Sequence, residues 1–198
     1  SIVALTFTNK AAGEMKERVA HLLGSRTPRS FVGTFHAYGV RLLRRFAPEA
    51  GLTPGFVVFD ADDQLAVFRQ ALKAAGISDK ALTPKAVASK FSRARNAGWG
   101  RDEYPRRFGD FVGTRLADLH AAYEKELKKA NAVDFDDLLV RTSKLLSTNP
   151  EVLGLLRRSV TQLLVDEYQD TNGAQATIVR LVAGETRNVF AVGDEDQS

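Results

Sequence analysis

Two adjacent carboxylates close the most informative stretch of this chain. Leu163-Leu164-Val165 is a short apolar run, followed directly by Asp166-Glu167 and then Tyr168-Gln169-Asp170. An apolar strand ending in Asp-Glu is the Walker-B arrangement. The first carboxylate holds Mg²⁺, usually through water, and the second orients and deprotonates a water attacking a γ-phosphate. The two must be adjacent because one faces the metal and the other the nucleophile. A solvated acidic turn after a strand is the competing explanation for the same residues. A second acidic group, Asp134, Asp136 and Asp137, puts three carboxylates in four positions. Such a group could serve a two-metal nuclease centre. It also fits the start of a helix, which prefers acids at its cap and first turn, and capping accounts for all three residues more simply.

The carboxylates need a scaffold, and the apolar runs supply one. Ile2–Phe7, Ser30–Val32, Gln162–Val165 and Asn188–Val192 are continuous rather than alternating, as buried parallel strands are. Each stops at polar or glycine-containing sequence: Thr8-Asn9-Lys10, Gly33-Thr34-Phe35-His36, Asp166-Glu167 and Gly193-Asp194. Ligands of open α/β sheets sit beyond the carboxyl ends of the strands. Four polar clusters at four strand ends are therefore one expected site.

Between the second and third runs the signals are helical. Asp60 is placed to cap a helix carrying Asp62 and Asp63 in its first turn, with Leu65, Phe68 and Leu72 at helical spacing and Gly76 as its stop. Pro84 suits the first turn of a helix through Ala97, before Gly98-Trp99-Gly100. Leu116, Leu119, Tyr123 and Leu127 mark a third helix, and Asp134 caps a fourth from Phe135 towards Leu146. The expected organisation is an α/β domain in two parts, 1–56 and 135–198, with an all-helical subdomain inserted at 57–134.

Composition sets outer limits. Of 198 residues, 44% are hydrophobic and 26% charged, a globular balance, and there are no cysteines. Disulfides and thiolate zinc sites are thereby excluded, and the lack of cysteine fits a reducing cytoplasm. No run reaches the ~18 apolar residues of a membrane span. Charge is uneven. Residues 1–48 carry 8 Lys/Arg against 2 Glu, whereas residues 160–198 carry 2 Arg against 7 Asp/Glu. One end suits an anion and the other a cation, although uneven solvated surface gives the same pattern.

The acidic motif, Asp166-Glu167-Tyr168-Gln169-Asp170-Thr171-Asn172, resembles the DExx box of UvrD/Rep-type superfamily-one DNA helicases. Ala4-Leu5-Thr6-Phe7-Thr8-Asn9-Lys10-Ala11-Ala12-Gly13-Glu14-Met15 resembles motif Ia of that family, and Gly33-Thr34-Phe35-His36 resembles motif Ib. Asp134-Phe135-Asp136-Asp137-Leu138-Leu139 resembles the segment returning from its inserted domain, and Val192–Ser198 the start of motif III. The resemblance runs along the whole chain in the family's order. It implies a partial RecA-like parallel sheet of the P-loop NTPase type with an inserted helical subdomain. It also implies ATP and Mg²⁺ as cofactors, Asp166 as the Mg²⁺ residue, Glu167 as the catalytic base and Gln197 as the γ-phosphate sensor. Phe7, Asn9, Thr34, His36 and Phe135 match positions that hold single-stranded DNA. Aromatic faces beside basic residues are what single strands require. Phe35 is expected in the core. The stretch Pro84–Arg107, with 7 basic and 2 acidic residues, is open to duplex DNA or to solvent.

No glycine in the sequence is followed by lysine, so the G-x-x-x-x-G-K-[ST] phosphate cradle does not occur. The expectation is a piece of a larger enzyme, inactive as an ATPase alone. That enzyme would be a cytoplasmic, ATP-dependent helicase moving 3′→5′ on single-stranded DNA and unwinding duplex at junctions. Its setting would be repair, replication or recombination, with repair or replication proteins as partners. A subunit of a recombination helicase–nuclease and a DNA-binding module without ATPase activity are the alternatives.

Overall fold

The computed structural model describes residues 1–24, 30–77, 82–185 and 188–194. The chain divides into two compact units, one formed by Ser1–Leu52 with Leu138–Ser198, the other by Thr53–Asp137.

The first unit is built on a parallel sheet. β1 (Ile2–Thr6), β2 (Ser30–Thr34), β5 (Gln162–Val165) and β6 (Val189–Ala191) lie in the order β2-β1-β5-β6. Register partners are Thr6 with Thr34, Leu5 with Val165, and Val165 with Ala191. All four strands therefore end at one edge. Val3, Ala4 and Leu5 are buried in the central strand, which is why that run carries no alternation. Helices follow the strands. Thr8 caps α1 (Asn9–Leu23), Thr34 caps α2 (Phe35–Arg45), and Asn172 caps α9 (Gly173–Ala183) in a capping box with Gln175. α2 lies close to α7 (Phe135–Thr148) at Gly39. A Cβ there would sit 3.1 Å from Thr142 Oγ1 and 3.2 Å from the Leu138 carbonyl oxygen, so a larger residue would force the helices apart. α8 (Pro150–Ser159) completes this unit. The arrangement is mixed α/β with a parallel sheet, consistent with a partial RecA-like fold.

The second unit is mainly helical. α3 (Ala61–Ala74) starts at a capping box between Asp60 and Asp63 and ends before Gly76, whose φ of 62° needs glycine. α4 (Pro84–Asn96), α5 (Tyr104–Phe108) and α6 (Asp110–Lys129) follow. Phe68, Phe91, Tyr104 and Tyr123 are fully buried between them. The Phe68 ring meets Phe91 edge-on at 5.1 Å and Tyr123 at 4.5 Å. Burying each such ring stabilises the unit by roughly 1.5–3 kcal/mol. A short parallel pair, β3 (Val57–Phe59) with β4 (Ala132–Asp134), joins the two ends of this unit.

Candidate functional site

The edge where β1, β2, β5 and β6 end gathers the polar clusters. After β1, Phe7 is half-buried and leans on the fully buried Phe35, ring centroids 5.5 Å apart. Asn9 and Lys10 follow, both exposed in the first turn of α1. After β2, Thr34 is buried and its hydroxyl accepts from the Ala37 N–H at 3.1 Å; His36 stands half-exposed in the first turn of α2. After β5, the Asp166 N–H donates to the Leu5 carbonyl at 3.0 Å, which fixes the carboxylate's position beside the end of β1. Glu167 is exposed and left-handed, with φ 50° and ψ 46°. For a residue with a Cβ this conformation costs of the order of 1–3 kcal/mol and is held only by its surroundings. Here the restraint is the next strand: the Tyr168 N–H donates to the Val192 carbonyl at 2.8 Å, and Val192 N–H to the Val165 carbonyl at 2.9 Å.

The side chain of Gln169 joins this restraint. Its Nε2 donates to Glu167 Oε2 at 2.7 Å, and its Oε1 accepts from the Asp194 N–H at 3.1 Å. Gln169 carries no role in the sequence reading, because its partner Asp194 becomes a neighbour only through the β5–β6 pairing.

In the helical unit the acidic group has a different use. Asp134 is buried, and its Oδ1 accepts from the Asp137 N–H at 2.8 Å, capping α7. Its Oδ2 accepts from Arg95 at 2.7 Å, Tyr123 at 2.7 Å and Gln64 at 3.1 Å. Asp136 and Asp137 complete the ring around Arg95 at 3.8 and 3.6 Å. Burial pushes the Asp134 carboxyl up, but the Arg95 guanidinium outweighs it and holds it below its ordinary value. Burial leaves Asp136 above its ordinary value. Carboxylates so engaged form a structural hub, which supports capping over a nuclease centre. Phe135, one residue past the hub, is 55% exposed at the rim of a cleft of about 440 Å³ that Phe59, Gln64 and Ser92 also line. Arg95 is the second residue with no role assigned from sequence; it stands one turn beyond the buried Phe91, and that spacing turns it inward.

All 198 residues match the UvrD/REP helicase N-terminal domain family. The chain belongs to that family. Among curated relatives it is 40% identical to the ATP-dependent DNA helicase PcrA of Bacillus subtilis, over the whole chain and 27% of that protein. It is 39% identical to PcrA of Leuconostoc citreum, over the whole chain and 26% of that protein, and 38% identical to PcrA of Staphylococcus epidermidis. The chain thus spans about a quarter of the length of these relatives.

Within the family domain, Asp166 and Glu167 fit a hydrated Mg²⁺ and a reacting water. The Asp166 carboxylate makes no hydrogen bond or ion pair among the described residues, and Glu167 keeps Oε1 outside the Gln169 bond. Gln197 lies outside the described residues. Phe7, Asn9, Thr34 and His36 share the sheet edge with the two acids, while Phe135 belongs to the helical unit. No helix among the described residues is long and apolar enough to cross a membrane.

Proposed function

We propose that this chain is part of a cytoplasmic, ATP-dependent DNA helicase that translocates 3′→5′ on single-stranded DNA and unwinds duplex at a junction, in repair, replication or recombination. The observation that carries the reading is the convergence of both acids and the motif Ia and Ib residues at one edge of a parallel sheet. In this reading residues 1–56 and 135–198 form a RecA-like ATPase domain and 57–134 a helical insertion. Mg²⁺, when bound with ATP, neutralises phosphate charge. Asp166 holds its hydration shell, Glu167 Oε1 accepts the proton of the attacking water, and Gln197 senses the γ-phosphate.

The DNA contacts follow from the same edge. The exposed part of the Phe7 ring stacks on a base, and Asn9 and His36 bond the backbone. Thr34 accepts from the Ala37 N–H and keeps its own hydroxyl proton for a phosphate oxygen. Phe135 offers a second aromatic face from the helical unit. The test is Glu167→Gln in the full-length protein. The amide keeps size and hydrogen bonding but accepts no proton, so ATP turnover should fall by at least ~10²-fold with ATP binding retained. Turnover within a few-fold of the original would remove Glu167 from the role of base.

A further inference from the structure

We propose that Gln169 is a positioning residue for Glu167, tying the orientation of that carboxylate to the loop that follows β6. The proposal rests on the reading of Glu167 as the base and adds what aims it. An exposed glutamate has several rotamers of similar energy, and a base that wanders among them is poorly placed for proton transfer. Gln169 removes that freedom with a charge-assisted bond of 2.7 Å to one carboxylate oxygen, leaving the other for water.

The amide has one workable orientation. Reversed, its carbonyl would face the carboxylate and its NH₂ would face the Asp194 N–H; as found, donor meets acceptor at both ends. The same amide therefore senses two things at once, the Glu167 carboxylate and the backbone at Asp194. The fit is close. A Cβ at Gly193 would lie 2.7 Å from Gln169 Oε1 and 3.4 Å from the Gln169 backbone nitrogen. Glycine at 193 is thus what lets the loop approach the amide. The Tyr168 N–H bond to the Val192 carbonyl straps the same two segments a second time. A displacement of the loop after β6 must either break the Asp194 bond or carry the amide, and with it Glu167.

The experiment compares Gln169→Ala, Gly193→Ala, their double variant and Glu167→Gln in the full-length protein, measuring steady-state ATP hydrolysis. Gln169→Ala should lower kcat by ~10- to 100-fold while the KM for ATP stays within about two-fold, because the base is misaimed and not removed. Gly193→Ala should lower kcat similarly, and the double variant should be no worse than the poorer single, since both break one bridge. In the 198-residue chain, Gln169→Ala should also speed hydrogen exchange at the Asp194 amide. If Glu167→Gln abolishes turnover but Gln169→Ala leaves kcat unchanged, the positioning role is overturned and the base assignment stands. If Glu167→Gln retains turnover, both fall. Additive losses in the double variant, or unchanged Asp194 exchange, overturn the bridge.

Discussion

Arg95→Met is the substitution whose cost the structure defines best. The guanidinium is enclosed, with 8% of its side chain accessible, and faces Asp134, Asp136 and Asp137 at 2.7, 3.8 and 3.6 Å. Methionine keeps most of the apolar stem and deletes the charge. Asp134 then loses the cation of its buried pair, and breaking such a pair costs about 3–5 kcal/mol at neutral pH. The guanidinium also lies 5.8 Å from the Tyr123 ring centroid, a smaller contribution of the order of 1 kcal/mol. A loss of ~4 kcal/mol is a large share of the 5–15 kcal/mol that holds a typical domain. Urea unfolding followed by tryptophan fluorescence reports this unit specifically, because the chain's one tryptophan is Trp99, packed on Phe108 at 5.8 Å. With a urea slope of roughly 2 kcal/mol/M, the midpoint should drop by about 2 M at pH 7. The pH dependence gives an independent check. Without Arg95, burial raises the folded Asp134 pKa above its unfolded value, so the variant is penalised most at high pH and relieved as the acid protonates. The gap to the original should therefore narrow between pH 7 and pH 4.5, and adding Asp134→Asn should recover part of it at pH 7. A midpoint shift below ~0.5 M, or a gap that does not change with pH, would refute the hub as the source of stability.

Three further outcomes follow from the same structure. His120, buried beside Tyr104 and near Arg95 and Arg101, has its pKa pushed down to about 4, chiefly by burial. Its folded pKa lies below the unfolded 6.5, so the helical unit should lose stability as pH falls from about 6.5 towards 4, and His120→Gln should flatten that decline in Trp99-monitored melts. Phe7→Ala in the full-length protein should weaken binding to oligothymidine by ~5- to 100-fold, from roughly 1–3 kcal/mol of stacking, and fluorescence anisotropy should show affinity falling with salt in both forms. The 198 residues alone, which contain no phosphate-cradle motif, should release no phosphate from ATP with Mg²⁺ and single-stranded DNA, and turnover that disappears in Glu167→Gln would contradict this.

What the sequence made readable depended on whether a signal was local. The Ile2 run stands out because β1 is a central parallel strand with Val3, Ala4 and Leu5 buried in succession, which needs apolar residues on both faces. Asp60 and Asp134 announce helix starts because capping is a contact across three residues. β3 and β4 give no such signal: three residues each cannot show a period, and Val57-Val58-Phe59 reads equally well as the approach to α3. Arg95 sits in a basic stretch, Pro84–Arg107, whose charge points towards solvent or DNA; only its helical phase relative to Phe91 turns it inward. Gln169 and Asp194 are 25 residues apart, and nothing in either neighbourhood records that β6 lies next to β5.

The β3–β4 pairing has a consequence for how the chain folds. β1 must find β5 across more than a hundred residues, a separation that slows folding because loop entropy is lost before contacts form. Val57 pairs with Ala132, so once the helical unit has formed, its two ends are neighbours. The long excursion then counts as a short connection. Closing the shortened loop avoids roughly one doubling of length, about 0.6 kcal/mol of entropy. The helical unit, rich in local contacts, would collapse first and act as a clip that brings the N-terminal strands within reach of the strand bearing Asp166 and Glu167. Kinetics should show it: substitutions in the Phe68–Phe91–Tyr123 core would slow formation of the sheet as well as of the helices.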